Sequence, residues 1–466
     1  MKPTHAFSTW LFLRLLAFVY FCAFASLAVQ IVGLVGAHGI LSAGVADATL
    51  RGVCIAGVAL SIVLVLGFVP ILILPLLWGG YLWLSNVSGE FLSYQWDALL
   101  LETGLLAVFV APIRLRERFR ETEEPPHVAV WLMLWLLFRL MFGSGAVKLA
   151  SGDPTWRNLT ALTYHYETQP IPNPLAYYAR HLPAEFHRAT TALTLAIELL
   201  APCMIIAGRR LRVVAAVLLV GLQISIAATG NFAFFNLLSV ALCVFLVDDA
   251  TWTTAFRGRP WLTQRLAMEA SHLQVSTLTV RRAVVGAAAI VIIPVSLFTF
   301  AGSLGVLLPA WQIVAPVASA IAPFRSVNSY GLFAMMTTTR PEIVVEGSSD
   351  GATWTAYEFK YKPGDLNRPP PWVAPHQPRL DWQMWFAALG RYEDNGWFQS
   401  LLVHLLEGSP DVLALLDRDP FNGTHPRYVR AVLYRYRFAD PESHRATGAW
   451  WTRERIGNYS PVISLR

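Results

Sequence analysis

Charged side chains are scarce in this sequence. Asp, Glu, Lys and Arg make up 14% of its 466 residues, whereas soluble domains carry about a quarter. Hydrophobic residues make up 55%, and the mean hydropathy is +0.47. This balance excludes an ordinary soluble domain for the whole chain and predicts a protein that crosses a membrane several times.

Cysteine is also rare, and all four copies fall in apolar runs: Cys22, Cys54, Cys203 and Cys243. No cysteine follows Cys243. The C-terminal part can therefore contain neither a disulfide nor a CxxC redox motif, whichever compartment it faces.

Signatures of common catalytic and binding sites are missing too. The sequence contains no GxSxG, HExxH, phosphate-binding loop or dinucleotide fingerprint, and no His cluster with metal-ligand spacing. We therefore predict no metal and no cofactor. The net charge of +6 and the pI near 9.2 do not predict a nucleic-acid partner, because membrane proteins collect Lys and Arg in their cytoplasmic loops.

The apolar residues occur in runs close to the ~20 residues that span a bilayer. Pro70 and Pro75 leave open whether the second and third runs are two short helices or one kinked helix. The predicted fold is a polytopic α-helical membrane bundle of about nine spans within residues 1–302. The spans are 10–36, 53–69, 71–85, 94–111, 128–147, 189–207, 211–228, 231–247 and 283–302.

Arginine-rich loops predict the orientation of this bundle. With nine spans and the N-terminus inside, the cytoplasmic loops are 112–127, 208–212 and 248–282, which contain "RLRERFRETEE", "GRRLR" and "RGRP". The outward loop 148–188 and the C-terminal part then lie on the non-cytoplasmic side. An even number of spans would reverse the side of the C-terminal part.

The C-terminal third has a different composition. Residues 303–324 are apolar but contain Pro309 and Pro316, which predicts a re-entrant or interfacial connector. Residues 325–466 are polar enough for a soluble domain. In it, "GSSDG" predicts a hairpin turn, the stretch 382–418 has helical spacing, and "RYVRAVLYRYRF" predicts a strand with one basic face. We expect a β-sandwich-like α+β domain.

Ionisable residues within or at the ends of predicted spans are candidates for a buried polar network. A charge at bilayer depth costs a few kcal/mol, so such groups face the bundle interior and pair. Asp97 and Glu102 are expected to neutralise Arg14, Arg139 or Lys148, with the partners left open. Two hypotheses remain: ion pairs that fix helix packing, or groups that line an outward-facing cavity. The set is Arg14, Asp97, Glu102, Arg139, Lys148 and Glu198.

Several long motifs resemble the lipase maturation factor family. They are "YQWDALLLETGLLAVFVAP", "WLLFRLMFGSGAVKLASGDPTWRNLTALTYHYETQPIPNPLAYYAR", "EIVVEGSSDGATWTAYEFKYKPGD", "PHQPRLDWQMWFAALG" and "YVRAVLYRYRF". The resemblance runs from about residue 10 to the C-terminus. Animal members are endoplasmic reticulum membrane proteins that help secreted lipases fold and assemble.

The resemblance implies a chaperone-like maturation role for this multi-pass protein, in the inner membrane if the chain is bacterial. Its expected partners are the lipid bilayer and exported client proteins, including lipases. Loop position and the matching motifs give the client-contact candidates. They are Trp156, Tyr164, His165, Tyr166, Glu167, Asp381 and Trp382.

A more remote resemblance links the membrane part to the vitamin K-dependent carboxylase-like transmembrane group. There a lysine, a leucine and a nearby tryptophan end a similar helix; here these are Lys148, Leu149 and Trp156. That likeness implies an alternative function, a membrane enzyme acting on a lipophilic substrate with Lys148 as base.

Overall fold

The computed structural model describes residues 4–117, 123–256 and 275–465, which form mainly α-helix. Within these ranges, five 3₁₀ turns extend or connect the helices: Gly89–Leu92, Met204–Ile206, Val244–Leu246, Ala322–Phe324 and Tyr392–Asp394. The α-helices are α1 (Ala6–Ala28), α2 (Ile31–Val35), α3 (Asp47–Val65), α4 (Pro70–Val87), α5 (Gln95–Val110), α6 (His127–Ala150), α7 (Pro154–Arg157), α8 (Ala161–Thr168), α9 (Pro174–Arg180), α10 (Ala184–Cys203), α11 (Arg209–Thr229), α12 (Phe235–Cys243), α13 (Asp249–Ala255), α14 (Val275–Ser303), α15 (Trp311–Ile321), α16 (Arg379–Leu389), α17 (Gly396–Glu407), α18 (Pro410–Leu413) and α19 (Pro441–Thr447).

Seven helices in the described residues are long and apolar enough to cross a membrane. The bent pair Phe235–Leu246 and Asp249–Ala255, which turns by 98°, raises the number to eight if it is one span. The described residues thus do not reach nine by this measure, because the predicted span 94–111 forms α5, a helix of only 16 residues. Residues 53–85 form two helices, α3 and α4, separated where Val69 adopts a φ of 38°.

The helices run between two ends of the helical part. At one end, which we call the basic end, three ion pairs among the described residues join loops to helices: Arg14–Glu117, Arg209–Asp248 and Arg281–Glu123. The opposite end, which we call the sheet end, carries residues 151–183 and the C-terminal domain. Helix α5 starts at the sheet end, and the chain after it reaches Glu117 at the basic end. Although short, α5 therefore connects both ends.

The C-terminal domain contains one antiparallel sheet of four strands in the order β2-β1-β3-β4. The strands are β1 (Arg340–Ser348), β2 (Thr355–Ala356), β3 (Tyr428–Phe438) and β4 (Trp451–Asn458). Pairing places Val344 opposite Val432 and Tyr436 opposite Arg453. The predicted hairpin and the strand at 428–438 are confirmed, although β2 has only two residues. The turn is closed by Asp350 Oδ1, which accepts from Ala352 N at 2.8 Å.

The expected β-sandwich is wrong, since no second sheet is present in the described residues. Helices cover the sheet instead: α16 packs against β1 and α17 packs against β3. The cause is the helical spacing of the apolar residues after Pro378, which can bury one face only as a helix. In α17 that face consists of Leu401, Leu402, Leu405 and Leu406, all buried.

The C-terminal domain and the helices share one hydrophobic core. The same cluster contains Phe24 of α1 and Phe398 of α17, both almost fully buried. Polar links add to this contact: Ser400 Oγ donates to Ile40 O at 2.5 Å, and Ser409 Oγ donates to His38 O at 2.7 Å. The connector helix α15, by contrast, buries none of its residues. Its predicted re-entrant or interfacial position stays a prediction.

Candidate functional site

Asp97 of α5 is paired with an arginine from the C-terminal domain. Arg379 Nη1 donates to Asp97 Oδ2 at 2.9 Å, and Nη2 donates to Oδ1 at 2.8 Å. Tyr81 Oη donates to Oδ1 at 2.5 Å. Both charged side chains are at most 1% exposed. Arg379 was not among the partners considered from the sequence, because it lies far outside the apolar runs.

The segment around Arg379 is also fixed to the end of α1. Gln30 Oε1 accepts from Arg379 N at 3.0 Å, and its Nε2 donates to Gln377 O at 2.7 Å. Gln377 N donates to Ser26 Oγ at 2.9 Å. Ser26 and Gln30 are polar residues in an otherwise apolar helix end. Such polar residues could have marked α1 as a contact for another segment, but periodicity alone does not reveal which segment that is.

Glu102 pairs with Arg139 of α6, one of the pairings that the sequence left open. Tyr330 Oη donates to Glu102 Oε2 at 2.7 Å, and Asn328 N donates to the same oxygen at 3.0 Å. Arg139 Nη1 in turn donates to Asn328 O at 2.9 Å. A second buried ion pair therefore also anchors the start of the C-terminal domain. Arg14 lies apart and pairs with Glu117 at the basic end.

Lys148, near the end of α6, is paired with Glu198 of α10. Its Nζ donates to both carboxylate oxygens at 2.9 Å and to Ser144 O at 3.1 Å. The Trp156 ring lies 5.2 Å from Nζ, within reach of a cation–π contact. All three ammonium hydrogens thus have an acceptor nearby. A general base must instead offer a free lone pair, so this geometry does not favour the enzymatic alternative.

The Lys148–Glu198 pair lines a cavity of about 640 Å³, which we call the lateral cavity. Helices α6, α8, α10 and α11 supply most of its wall, and most of the lining side chains are apolar. Asp97 and Glu102 do not line it. Two lining residues keep a buried polar atom without a hydrogen-bond partner among the described residues: Gln223 Oε1 and His165 Nδ1.

A second, polar groove lies between the outward loop and strand β3; we call it the basic groove. Its volume is about 380 Å³. Four arginines and two carboxylates line it, together with exposed Thr338 and Thr339. The charged lining residues are Arg180, Arg340, Arg435, Arg437, Glu167 and Asp440.

Arg340 of β1 fastens the outward loop to the sheet. Its guanidinium donates to the carbonyl oxygens of Glu167, Gln169 and Pro170 at 2.5 to 2.7 Å. It also pairs with Glu342 at 2.7 Å and is fully buried. Trp385 Nε1 adds a bond to Thr168 O at 2.9 Å. The outward loop, which forms one wall of the basic groove, is therefore fastened to the sheet, which forms the other wall.

The residues predicted to contact clients differ in their exposure. Trp156, Tyr166, Asp381 and Trp382 are buried, whereas Tyr164, His165 and Glu167 are partly exposed. Asp381 Oδ1 accepts from the backbone N–H groups of Tyr361 and Lys362 at 2.8 Å. Burial raises the pKa of this carboxyl, although the two hydrogen bonds act in the opposite direction.

The other candidates lie in two places. Tyr164 and Glu167 line the basic groove, and Trp156, His165 and Tyr166 line the lateral cavity. Client contact stays a prediction.

The part of the chain that the structure describes holds no group of three or more His, Cys, Asp or Glu side chains that could bind a metal ion.

Comparison with known proteins assigns both parts of the chain. Residues 42–254 match the lipase maturation factor transmembrane domain, and residues 326–461 match the lipase maturation factor C-terminal domain. The chain is 36% identical to lipase maturation factor 2 of Homo sapiens, over 98% of this chain and 82% of that protein. It is 39% identical to lipase maturation factor 1 of Homo sapiens, over 87% and 73%.

A further relative is lipase maturation factor 2 of Xenopus tropicalis, 36% identical over 97% of this chain and 82% of that protein. No solved protein structure matches the chain. Because the similarity covers the apolar helices and the sheet alike, this chain belongs to the lipase maturation factor family and is an integral membrane protein with several spans.

Proposed function

We propose that this protein is a chaperone-like maturation factor that holds exported client proteins, including lipases, while they fold or assemble. The observation that carries the proposal is the similarity to lipase maturation factors over nearly the whole chain, helices and sheet together. The rigid attachment of the sheet to the helices supports it. A platform held by buried ion pairs keeps its shape when a client binds, which lowers the entropic cost of binding.

The basic end faces the cytoplasm in this proposal, and the sheet end faces outward. Loops rich in Lys and Arg stay on the cytoplasmic side, and Arg114, Arg116, Arg209 and Arg281 all lie near the basic end. The seven long helices, the bent pair and α5 then make nine crossings within the described residues. An odd number leaves the C-terminal domain outside, where exported proteins pass.

The basic groove is the proposed client contact. It combines the partly exposed Tyr164 and Glu167 with two arginines of β3, Arg435 and Arg437. Arg180, Arg340 and Arg435 are paired with Glu167, Glu342 and Glu454, whereas Arg437 has no carboxylate partner among the described residues. An exposed arginine without a partner attracts acidic segments and raises the rate of encounter. A client segment rich in Asp and Glu fits this groove better than a basic one.

A site-specific cross-link tests this contact. A photoreactive amino acid at the exposed Thr338, inside the groove, should capture an exported lipase in intact cells. The same group at Thr424, which is also exposed but lies outside the groove, is the matched control. Equal capture at both positions, or loss of the gene without any loss of exported lipase or esterase activity, would contradict the proposal.

A further inference from the structure

We propose that the lateral cavity binds the acyl chain of a neutral glycerolipid that enters from the surrounding bilayer. This inference goes beyond the client role and does not depend on it. Three features of the cavity carry it: the position of its mouth, its unpaired polar atoms and its lack of net charge.

The mouth of the cavity is apolar and lies on membrane helices. Large hydrophobic side chains that line it are well exposed: Phe186 by 44%, Leu193 by 55% and Val217 by 67%. They belong to α10 and α11, two of the helices long and apolar enough to span a bilayer. A lipid tail can therefore enter sideways without leaving a hydrocarbon environment, and the volume is in the usual range for a ligand site.

The interior of the cavity holds polar atoms that a ligand could satisfy. Gln223 is only 3% exposed, and its Oε1 has no partner among the described residues. A buried acceptor without a partner costs about 1–3 kcal/mol. A hydroxyl group on the ligand would donate to this oxygen and remove the cost. The Nδ1 atom of His165 is likewise buried and has no partner among the described residues, which gives the cavity a second polar atom for a ligand.

The charges of the cavity favour an uncharged head group. Lys148 is the only Lys or Arg among the described lining residues, and Glu198 binds it through both oxygens. A carboxylate or phosphate would have to displace Glu198 and leave it buried without its cation. Burial and the nearby Lys148 lower the pKa of His165 to about 4, so its ring is neutral at pH 7. A mono- or diacylglycerol has the hydroxyl and the tail but no charge.

The test uses the full-length protein purified in detergent and two photoreactive probes with the same tail, monopalmitoylglycerol and palmitate. We expect saturable labelling of α10 and α11 by the glycerol ester and weaker labelling by palmitate. Gly221→Leu should fill the cavity, because a Cβ at Gly221 meets no atom within 4 Å and its neighbours form the wall. Labelling should fall about tenfold, the result of a steric clash of roughly 1.4 kcal/mol.

Gly286→Leu is the matched control, since Gly286 lies in another membrane helix and its Cβ also meets no atom within 4 Å. It should leave labelling unchanged. Gly221→Ala should reduce labelling by a smaller factor. If gel filtration shows that Gly221→Leu does not fold, the labelling of Gly221→Ala is the test instead. Equal labelling of all variants, equal loss in Gly221→Leu and Gly286→Leu, or a preference for palmitate would overturn the proposal. Cross-linking from Thr338 in the same variants reports separately on the client role.

Discussion

Arg379 of the C-terminal domain forms a bidentate ion pair with Asp97 of helix α5, and both side chains are out of contact with solvent. The pair joins the sheet-bearing domain to the first turn of α5, at the sheet end of the membrane helices. Planar guanidinium–carboxylate pairing fixes orientation as well as distance. The C-terminal domain is therefore held in one position on the helices.

Replacing Arg379 by Met should strongly destabilise the protein, because Asp97 would remain buried without its cation. Loss of one partner of a buried pair costs about 3–5 kcal/mol. The measurement is the thermal unfolding midpoint in detergent, compared with Arg391→Met, which breaks an exposed pair with Glu393 worth at most about 1 kcal/mol. Equal midpoints for the two variants would show that the pair does not hold the domain.

Gly57 of α3 should tolerate no side chain, since a Cβ there would lie 2.3 Å from the Phe24 ring of α1. We expect Gly57→Ala to lower stability by roughly 1–3 kcal/mol through overpacking. Gly52→Ala in the same helix is the control, because its Cβ meets no atom within 4 Å. Both changes gain about 1 kcal/mol of helix propensity, so the difference isolates packing. Unfolding curves that coincide would refute the close approach of α1 and α3.

Arg340→Lys should loosen the outward loop from the sheet. A lysine has one ammonium and cannot reach the three carbonyl oxygens that the guanidinium binds. Amide hydrogen exchange in the backbone of residues 165–169 should rise about tenfold or more. Arg430→Lys on the neighbouring strand, whose partner Glu346 is partly exposed, should leave that exchange unchanged. An equal effect of both variants would mean that the loop is held by other contacts.

Acid should destabilise the docking of His376 against α1. Ser26 Oγ lies 2.9 Å from His376 Nδ1. Burial, together with Arg379 and Lys360, lowers the pKa of His376 from 6.5 to about 4. Between pH 6.5 and about 4, this histidine binds a proton in the unfolded chain but not in the folded protein. The free energy of unfolding therefore decreases as the pH falls through this range. The unfolding midpoint should drop across this window.

His376→Asn should make that drop smaller, because asparagine does not titrate. It should not abolish the drop, since the pKa of His165 is also lowered to about 4 and titrates in the same range. A wild-type midpoint that rises between pH 6.5 and 4, or a drop of equal size in the variant, would contradict the assignment.

Local patterns were sufficient for the elements that bury a regular apolar face. Runs of apolar residues located the membrane helices, and alternation located strand β3. Strand β4, "WTRERIGN", was missed because most of its residues are exposed and three of them are charged, so no alternation marks it. The sandwich was wrong for a related reason: β-formers predict strands, but they do not say whether a second sheet or helices will cover them.

The sequence by itself determined that this protein is a multi-pass membrane protein with a separate sheet-bearing part, because hydropathy and periodicity are properties of short segments. It also determined that the carboxylates in the apolar runs need cations. Only the tertiary structure decided which cations: Asp97 pairs with Arg379, 282 positions away, and Glu198 pairs with Lys148 beside a cavity. Such partners are set by the packing of distant segments, which no local pattern encodes.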